Sequence, residues 1–268
     1  MREQQLDLFA ASGVPPERWP RPDSRPQELV AADLDDGALV AAIPGAGLAE
    51  APALAAEAVR RGLVAAVPAL EQLCRRFAGF GLECVVPEQA AALDALALIG
   101  GAKAAGTVAR LIVKDIVQGP TRKVAVDVAA RLKSGLPVET VLALLHDADP
   151  EVRADACRCA GPWPAVLQVL LDLVDDGDSE VRVAAACALG RMGRREARQA
   201  LGRLLRDAPS AEVIDAIPAI ADEDCIILLG RLLRTQPRLA GAARDALEMI
   251  DHPRARQIVA AMTVGQAE

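Results

Sequence analysis

Two stretches of this chain gather enough polar side chains to do chemistry. The first, Asp175-Asp176-Gly177-Asp178-Ser179-Glu180, offers a run of oxygen ligands of the kind calcium takes. An EF-hand loop, however, needs acidic residues at alternate positions, Gly at the sixth and Glu at the twelfth, and that order is absent. The run therefore predicts helix capping in an exposed turn. The second stretch carries Arg191, Arg194, Arg195, Arg198, Arg203 and Arg206, guanidinium groups able to grip phosphates or carboxylates. Of these, Arg191, Arg194, Arg195 and Arg198 are candidate contacts for a partner or for nucleic acid, with a solvated or partner-facing face favoured over a DNA site. Catalysis finds little material. His146 and His252 are the only histidines, neither lies in an H-E-x-x-H context, and there is no G-x-S-x-G or P-loop. No catalytic residue, metal ligand or cofactor is predicted.

The elements that must hold these side chains announce themselves by repetition. Asp149-Pro150-Glu151-Val152-Arg153-Ala154-Asp155-Ala156 is followed 29 residues later by Asp178-Ser179-Glu180-Val181-Arg182-Val183-Ala184-Ala185. Self-similarity at such an interval signals a solenoid, in which each unit buries its apolar face only against its neighbours. Each copy opens with helix-start chemistry, an Asp before Pro150 or Ser179 with Glu in the first turn, where unpaired N–H groups favour oxygen and negative charge. Val181, Ala185, Ala188 and Leu189 then recur at helical spacing, and Gly190 suits a left-handed C-terminal turn. Val166, Leu167, Leu170, Leu171 and Leu173 give a partner helix upstream. Arg153 and Arg182 recur beside Asp149 and Asp178, which predicts an Asp–Arg ladder between units.

The pattern Asp178, Val181, Arg182, Ala185, Ala188, Leu189, Gly190 resembles the HEAT-repeat family. The earlier copy keeps Asp149, Val152, Arg153, Ala156 and Gly161, with Cys159 and Ala160 in place of Ala and Leu. A later copy keeps Leu239, Ala243, Ala246 and Leu247 and loses the Arg, and around 213–221 the pattern degrades, with Pro218 inside it. The resemblance implies an all-α fold, an α-solenoid of stacked antiparallel helix pairs forming a HEAT/ARM-like superhelix. The short interval is similar to the HEAT-like repeats of phycobilin lyases, which implies a chaperone or lyase subunit as one alternative role. Repeat style alone does not carry that function. The family's iron-binding hydroxylases are excluded by the histidine count.

Composition agrees with helix. The chain is 52% hydrophobic but only 2% aromatic, without Tyr, so packing must rest on Leu, Val, Ile and Ala. Six cysteines, at 74, 84, 157, 159, 187 and 225, have neither secretory context nor metal spacing and predict buried thiols in a reduced cytoplasmic protein. Charged residues or Pro interrupt every apolar run before a membrane could be spanned. The net charge of −7 argues against a general coating of nucleic acid, although residues 100–133 and 190–206 are both locally basic.

Three regions follow. Residues 1–26 form a Pro-rich tail, 27–136 an Ala-rich helical cap with diverged repeats, and 137–268 the regular repeats. The periodicity predicts helices over 87–99, 102–117 and 121–132, then over 138–145, 150–160, 164–174, 179–190, 194–206, 211–221, 224–234, 238–250 and 253–262, with earlier breaks at Gly37, Pro44-Gly45 and 62–68. In the tail, Gln5-Leu6-Asp7-Leu8-Phe9 resembles the peptide by which bacterial replication and repair proteins attach to the sliding clamp. That resemblance implies Leu8 and Phe9 as apolar anchors, Gln5 hydrogen-bonding beside them, and Leu6 and Asp7 setting the approach; the plain alternative is a patch that folds back on the first helices. The expected function is a non-enzymatic scaffold that binds a protein partner on the solenoid surface, with the DNA sliding clamp as a possible tether. The rival is a HEAT-like alkylpurine DNA glycosylase, which would set Arg191, Arg194, Arg195 and Arg198 in a groove beside Trp163 and a free carboxylate.

Overall fold

The computed structural model describes residues 31–264, so the tail 1–26 and the peptide Gln5, Leu6, Asp7, Leu8 and Phe9 lie outside the described residues. Fifteen α-helices and no strand occur among the described residues: α1 Asp36–Ala42, α2 Ala51–Arg60, α3 Val67–Arg76, α4 Pro87–Ile99, α5 Gly101–Val113, α6 Gly119–Arg131, α7 Val138–Leu145, α8 Pro150–Cys159, α9 Pro164–Leu173, α10 Ser179–Arg191, α11 Arg198–Asp207, α12 Ala211–Asp215, α13 Glu223–Thr235, α14 Pro237–Met249 and α15 Pro253–Val264. The start signals are those of the sequence. Pro opens α4, α8, α9, α14 and α15, where its missing N–H costs nothing. Asp149 accepts from the Glu151 amide at 2.9 Å, Asp178 from Glu180 at 2.8 Å, and Asp222 from Cys225 at 3.0 Å.

The helices form two layers. Even-numbered helices pack in succession, α2 on α4, then α6, α8, α10, α12 and α14, while each odd-numbered helix from α3 to α13 packs on the even helix that follows it. This is an α-solenoid, and its stacked even layer begins well before the regular 29-residue copies. The odd layer is looser: α3 packs on α5, α7 on α9, and α11 on α13, but α9 and α11 touch sparsely at most. One core runs the length of the described residues, from Ala31 to Ala255, with Leu70, Leu93, Leu111, Leu144, Leu170 and Leu189 fully buried along it. Each such Leu contributes roughly 1.5–3 kcal/mol relative to exposure.

Small residues let the even layer close up. α8 and α10 pack closely, and both carry buried small residues, Ala154, Ala156 and Cys157 on one and Ala184, Ala185 and Ala188 on the other. Gly190 differs from its expected role. It lies inside α10, and an added Cβ would stand 2.5 Å from Leu201 Cδ1 and 2.6 Å from the Ala216 carbonyl oxygen, so glycine is there for close approach. The left-handed residue that ends this helix region is Gly193, at φ 71°.

Other departures have local causes. The predicted helix 211–221 stops at Asp215, because Pro218 cannot continue the ladder and instead starts a 3-10 turn, Pro218–Ile220. The segment 194–206 begins as a 3-10 turn, Arg195–Ala197, before α11. α5 ends at Val113 rather than 117, with Asp115 in the left-handed region at φ 51°. Gly37 does not break a helix but sits in the first turn of α1.

Candidate partner-binding surfaces

The acidic run at 175–180 resolves into turn chemistry. Asp178 caps α10, and Asp176 Oδ1 accepts from the Asp178 amide at 2.8 Å. The same bond recurs one unit earlier, from the Asp149 amide to Asp147 Oδ1 at 2.9 Å. Arg153 crosses between units: its Nη2 and Nε donate to Asp176 Oδ1 at 3.0 Å and Oδ2 at 3.1 Å, while its Nη1 donates to the carbonyls of Asp147 and Ala148. The Asp–Arg ladder therefore exists, with Asp176 as the acceptor in place of Asp178. Arg153 is the main reason the Asp176 carboxyl is held below its ordinary range. Arg182 repeats only the backbone half of the motif, donating to the carbonyls of Asp176 and Gly177 at 2.7 and 3.0 Å. One interval beyond Asp176 the chain has Leu205, so Arg182 finds no carboxylate and the ladder stops after one rung. No group of His, Cys, Asp or Glu among the described residues is arranged to hold a metal ion.

The even layer carries the larger groove. About 700 Å³ of open volume lies across α6, α8 and α10. Val85, Pro120 and Val124 supply apolar surface above the buried Ala154, and Lys123, Asp127, Glu151, Asp155, Arg158 and Glu180 supply charge. Val85 arrives on the loop before α4, which also exposes Phe80 and Leu82. That loop is pressed onto the start of α6: a Cβ at Gly119, which has φ 50°, would stand 2.3 Å from the Gly81 carbonyl oxygen. Lys123 reaches Glu151 at 2.6 Å and Asp149 at 3.2 Å. The Asp149 carboxyl is pushed up by burial, yet the Glu151 amide and Lys123 outweigh this and leave it below its ordinary range.

Arg158 is the electrostatic centre of this face, at a position that no repeat spacing marks. Its Nη1 donates to Asp155 at 2.8 Å, its Nη2 to Glu180 at 2.5 Å and its Nε to Glu212 at 3.0 Å, so one guanidinium ties α8, α10 and α12 together. Burial opposes the charge on Arg158, but Glu212 and Glu180 keep its pKa well above the ordinary value. Asp155 is 8% exposed, and its carboxyl is raised by that burial in spite of Arg158.

The odd layer carries a second groove of about 560 Å³ between α11 and α13. It takes Arg195, Arg198, Arg203 and Arg206, together with Glu196, Asp222 and Asp224. The arginine cluster is thus divided. Arg191 is exposed in the last turn of α10 and does not line this groove, and Arg194 pairs with Glu196 at 3.0 Å. Arg198 donates to the Ile220 carbonyl at 3.1 Å and stands 3.7 Å from Asp222. Trp163 precedes α9, lies over Gly161 and is not part of the groove. The four candidates Arg191, Arg194, Arg195 and Arg198 do not meet in one site with an aromatic ring.

Four of the six cysteines are buried as expected, whereas Cys159 is half-buried and Cys84 is exposed on the loop before α4. Cys74, Cys157 and Cys187 are buried, which pushes their thiols up to about 12, and Cys225 rises to about 11 for the same reason. They stay protonated near neutral pH and are poor nucleophiles. His146 Nδ1 lies 2.8 Å from the Leu142 carbonyl, and His252 Nδ1 accepts from the Arg254 amide at 3.2 Å.

Residues 138–221 match the family model described as HEAT repeats. The matched segment holds α7 to α12, including the Arg153 rung and the Arg158 centre. No curated protein matches the chain. The matched repeats and the two helical layers support a HEAT-repeat protein, a class of general protein-interaction scaffold. No helix among the described residues is long and apolar enough to cross a membrane.

Proposed function

We propose that the chain is a non-enzymatic scaffold of the bacterial cytoplasm that seats a partner protein in the groove across α6, α8 and α10. The observation that carries this reading is the groove itself, whose walls come from three successive units and whose mixture of apolar and charged groups suits a protein surface. Val85, Pro120 and Val124 give it the apolar contact from which affinity comes, and the rim charges set the register. Val124→Asp places an unpaired charge on that apolar wall and should weaken capture of the natural partner at least about tenfold, while helical content stays unchanged. Capture at wild-type strength by a folded Val124→Asp protein would remove the groove from the account.

The same proposal makes Gln5, Leu6, Asp7, Leu8 and Phe9 the tether to the DNA sliding clamp. What supports it is the match at all five positions of the clamp-binding peptide. Purified clamp should be retained by the intact chain and lost on Leu8→Ala with Phe9→Ala. Retention by that double variant would refute the tether and leave the groove untouched.

Nucleic acid is not favoured as the main ligand. The net charge is −7, and the arginines of the 190–206 stretch are divided between surfaces.

A further inference from the structure

α11 and the 3-10 turn before it present cations that no carboxylate takes. Arg195, Arg203 and Arg206 have no ion-pair partner among the described residues; Arg203 Nε makes only a long 3.4 Å bond to the Gln199 carbonyl. This contrasts with Arg153 and Arg158, each of which is committed to carboxylates of neighbouring units. α11 is also accessible, because it packs on α13 but hardly touches α9, and Arg203 borders a further opening of about 420 Å³ on its α10 side.

The groove between α11 and α13 is polar along its length. Both helices belong to one layer and run the same way, so their starts lie at one end. At that end Glu196, Asp222 and Asp224 stand among Arg195 and Arg198, a mixed set, while at the other Arg203 and Arg206 stand with no lining carboxylate beside them. Between them Leu228 provides apolar surface over the buried Cys225. Arg231, seven residues after Asp224, falls on the same face of α13 as Asp224 and Leu228 by helical spacing.

We propose that this groove docks an acidic, amphipathic segment of a partner protein, with carboxylates on Arg203 and Arg206 and an apolar side chain on Leu228. Guanidinium groups bind carboxylates with paired, directed hydrogen bonds, which makes the basic end selective. A peptide can concentrate its carboxylates at that end and leave neutral or basic residues beside Asp222 and Asp224. A nucleic acid cannot, since its phosphates are evenly spaced and would pass all three carboxylates, and no aromatic ring lines the groove to stack a base. The site lies in the opposite layer from the groove of α6, α8 and α10, so each can fail alone.

The test uses the full chain and fluorescence anisotropy with three labelled probes: a helical Glu/Leu peptide, its Gln/Leu counterpart, and a single-stranded oligonucleotide of the same net charge as the first. The Glu/Leu peptide should bind most tightly, weaken as salt is added, and lose about tenfold or more in affinity to the Arg203→Glu, Arg206→Glu double variant. The Arg203→Gln, Arg206→Gln protein, which removes the charge and keeps a good helix former, guards against misfolding and should show a similar loss. Arg244→Glu, on α14, should leave peptide binding unchanged. Failure of the Glu/Leu peptide to bind, binding indifferent to both double variants, or tighter binding of the oligonucleotide would overturn the proposal, the last by making the groove a phosphate site.

Discussion

Removing Arg158 should loosen three units at once, and the loss should depend on pH. Arg158→Ala deletes hydrogen bonds to Asp155, Glu180 and Glu212 and leaves Asp155 buried without its cation. Breaking a fully buried pair costs about 3–5 kcal/mol, and a surface pair about 0–1 kcal/mol. The Arg158 side chain is 25% exposed and its partners range from 11% to 62%, so an intermediate cost of roughly 1–3 kcal/mol follows. Asp155 fixes the pH dependence. Its folded pKa is already above the ordinary value, so burial of its charge is a penalty that grows as pH rises through the folded pKa. Without Arg158 that pKa rises further and the penalty with it. The destabilisation should therefore be largest near neutral pH and shrink on acidification, as Asp155 protonates in the folded state. Urea unfolding of both proteins at about pH 7 and about pH 4 reads the difference through the transition midpoints. Amide exchange should place the loss in α8, α10 and α12 and spare α2 to α4, since solenoid stability is a sum of local and neighbour terms. A loss below about 0.5 kcal/mol, or one equal at both pH values, would refute this reasoning.

Glycine substitutions should split by environment. Gly190→Ala meets the fixed Ala216 carbonyl and should cost about 1–2 kcal/mol net, whereas Gly241→Ala in α14, with nothing within 4 Å, should gain about 0.5–1 kcal/mol; thermal unfolding of each variant reads both signs. Asp178→Ala removes the cap of α10 and should cost about 1 kcal/mol by urea titration. The Arg110 guanidinium, with help from Arg75, holds Glu71 down to about 2 from an ordinary 4.5. A depressed carboxylate stabilises above its unfolded pKa and loses that contribution as pH falls through the folded one, so the advantage of the wild type over Glu71→Gln should be full above about pH 5 and fade toward pH 2 in acid titrations of stability.

Sequence pattern revealed the solenoid where polar residues mark each unit. Asp149, Val152 and Arg153 recur as Asp178, Val181 and Arg182, and helix starts at Pro150 and Pro164 fell where capping chemistry placed them. The even layer from α2 to α6 was harder to read as stacked units. It is held by Ala, Leu and buried Gln89, whose Nε2 donates to the Cys74, Phe77 and Ile116 carbonyls, and such residues carry no repeating signature. Arg158 was illegible for a related reason: the residue 29 further on is Cys187, so periodicity gave no hint, and its partners come from 22 and 54 residues away. The arginine cluster was visible as composition but not as geometry. The left-handed turn at Gly193 redirects the chain between Arg191 and Arg194, which assigns neighbours in sequence to different surfaces.

The central claim is that the α6, α8 and α10 groove is where this scaffold meets a protein. A photo-reactive amino acid at Val124, in the groove, compared with one at exposed Val113 at the end of α5, tests it most directly in the native cell. The account predicts one discrete crosslinked partner from position 124, lost when Val85→Asp is added, and no such adduct from position 113. The same adducts from both positions, or none from 124, would contradict it.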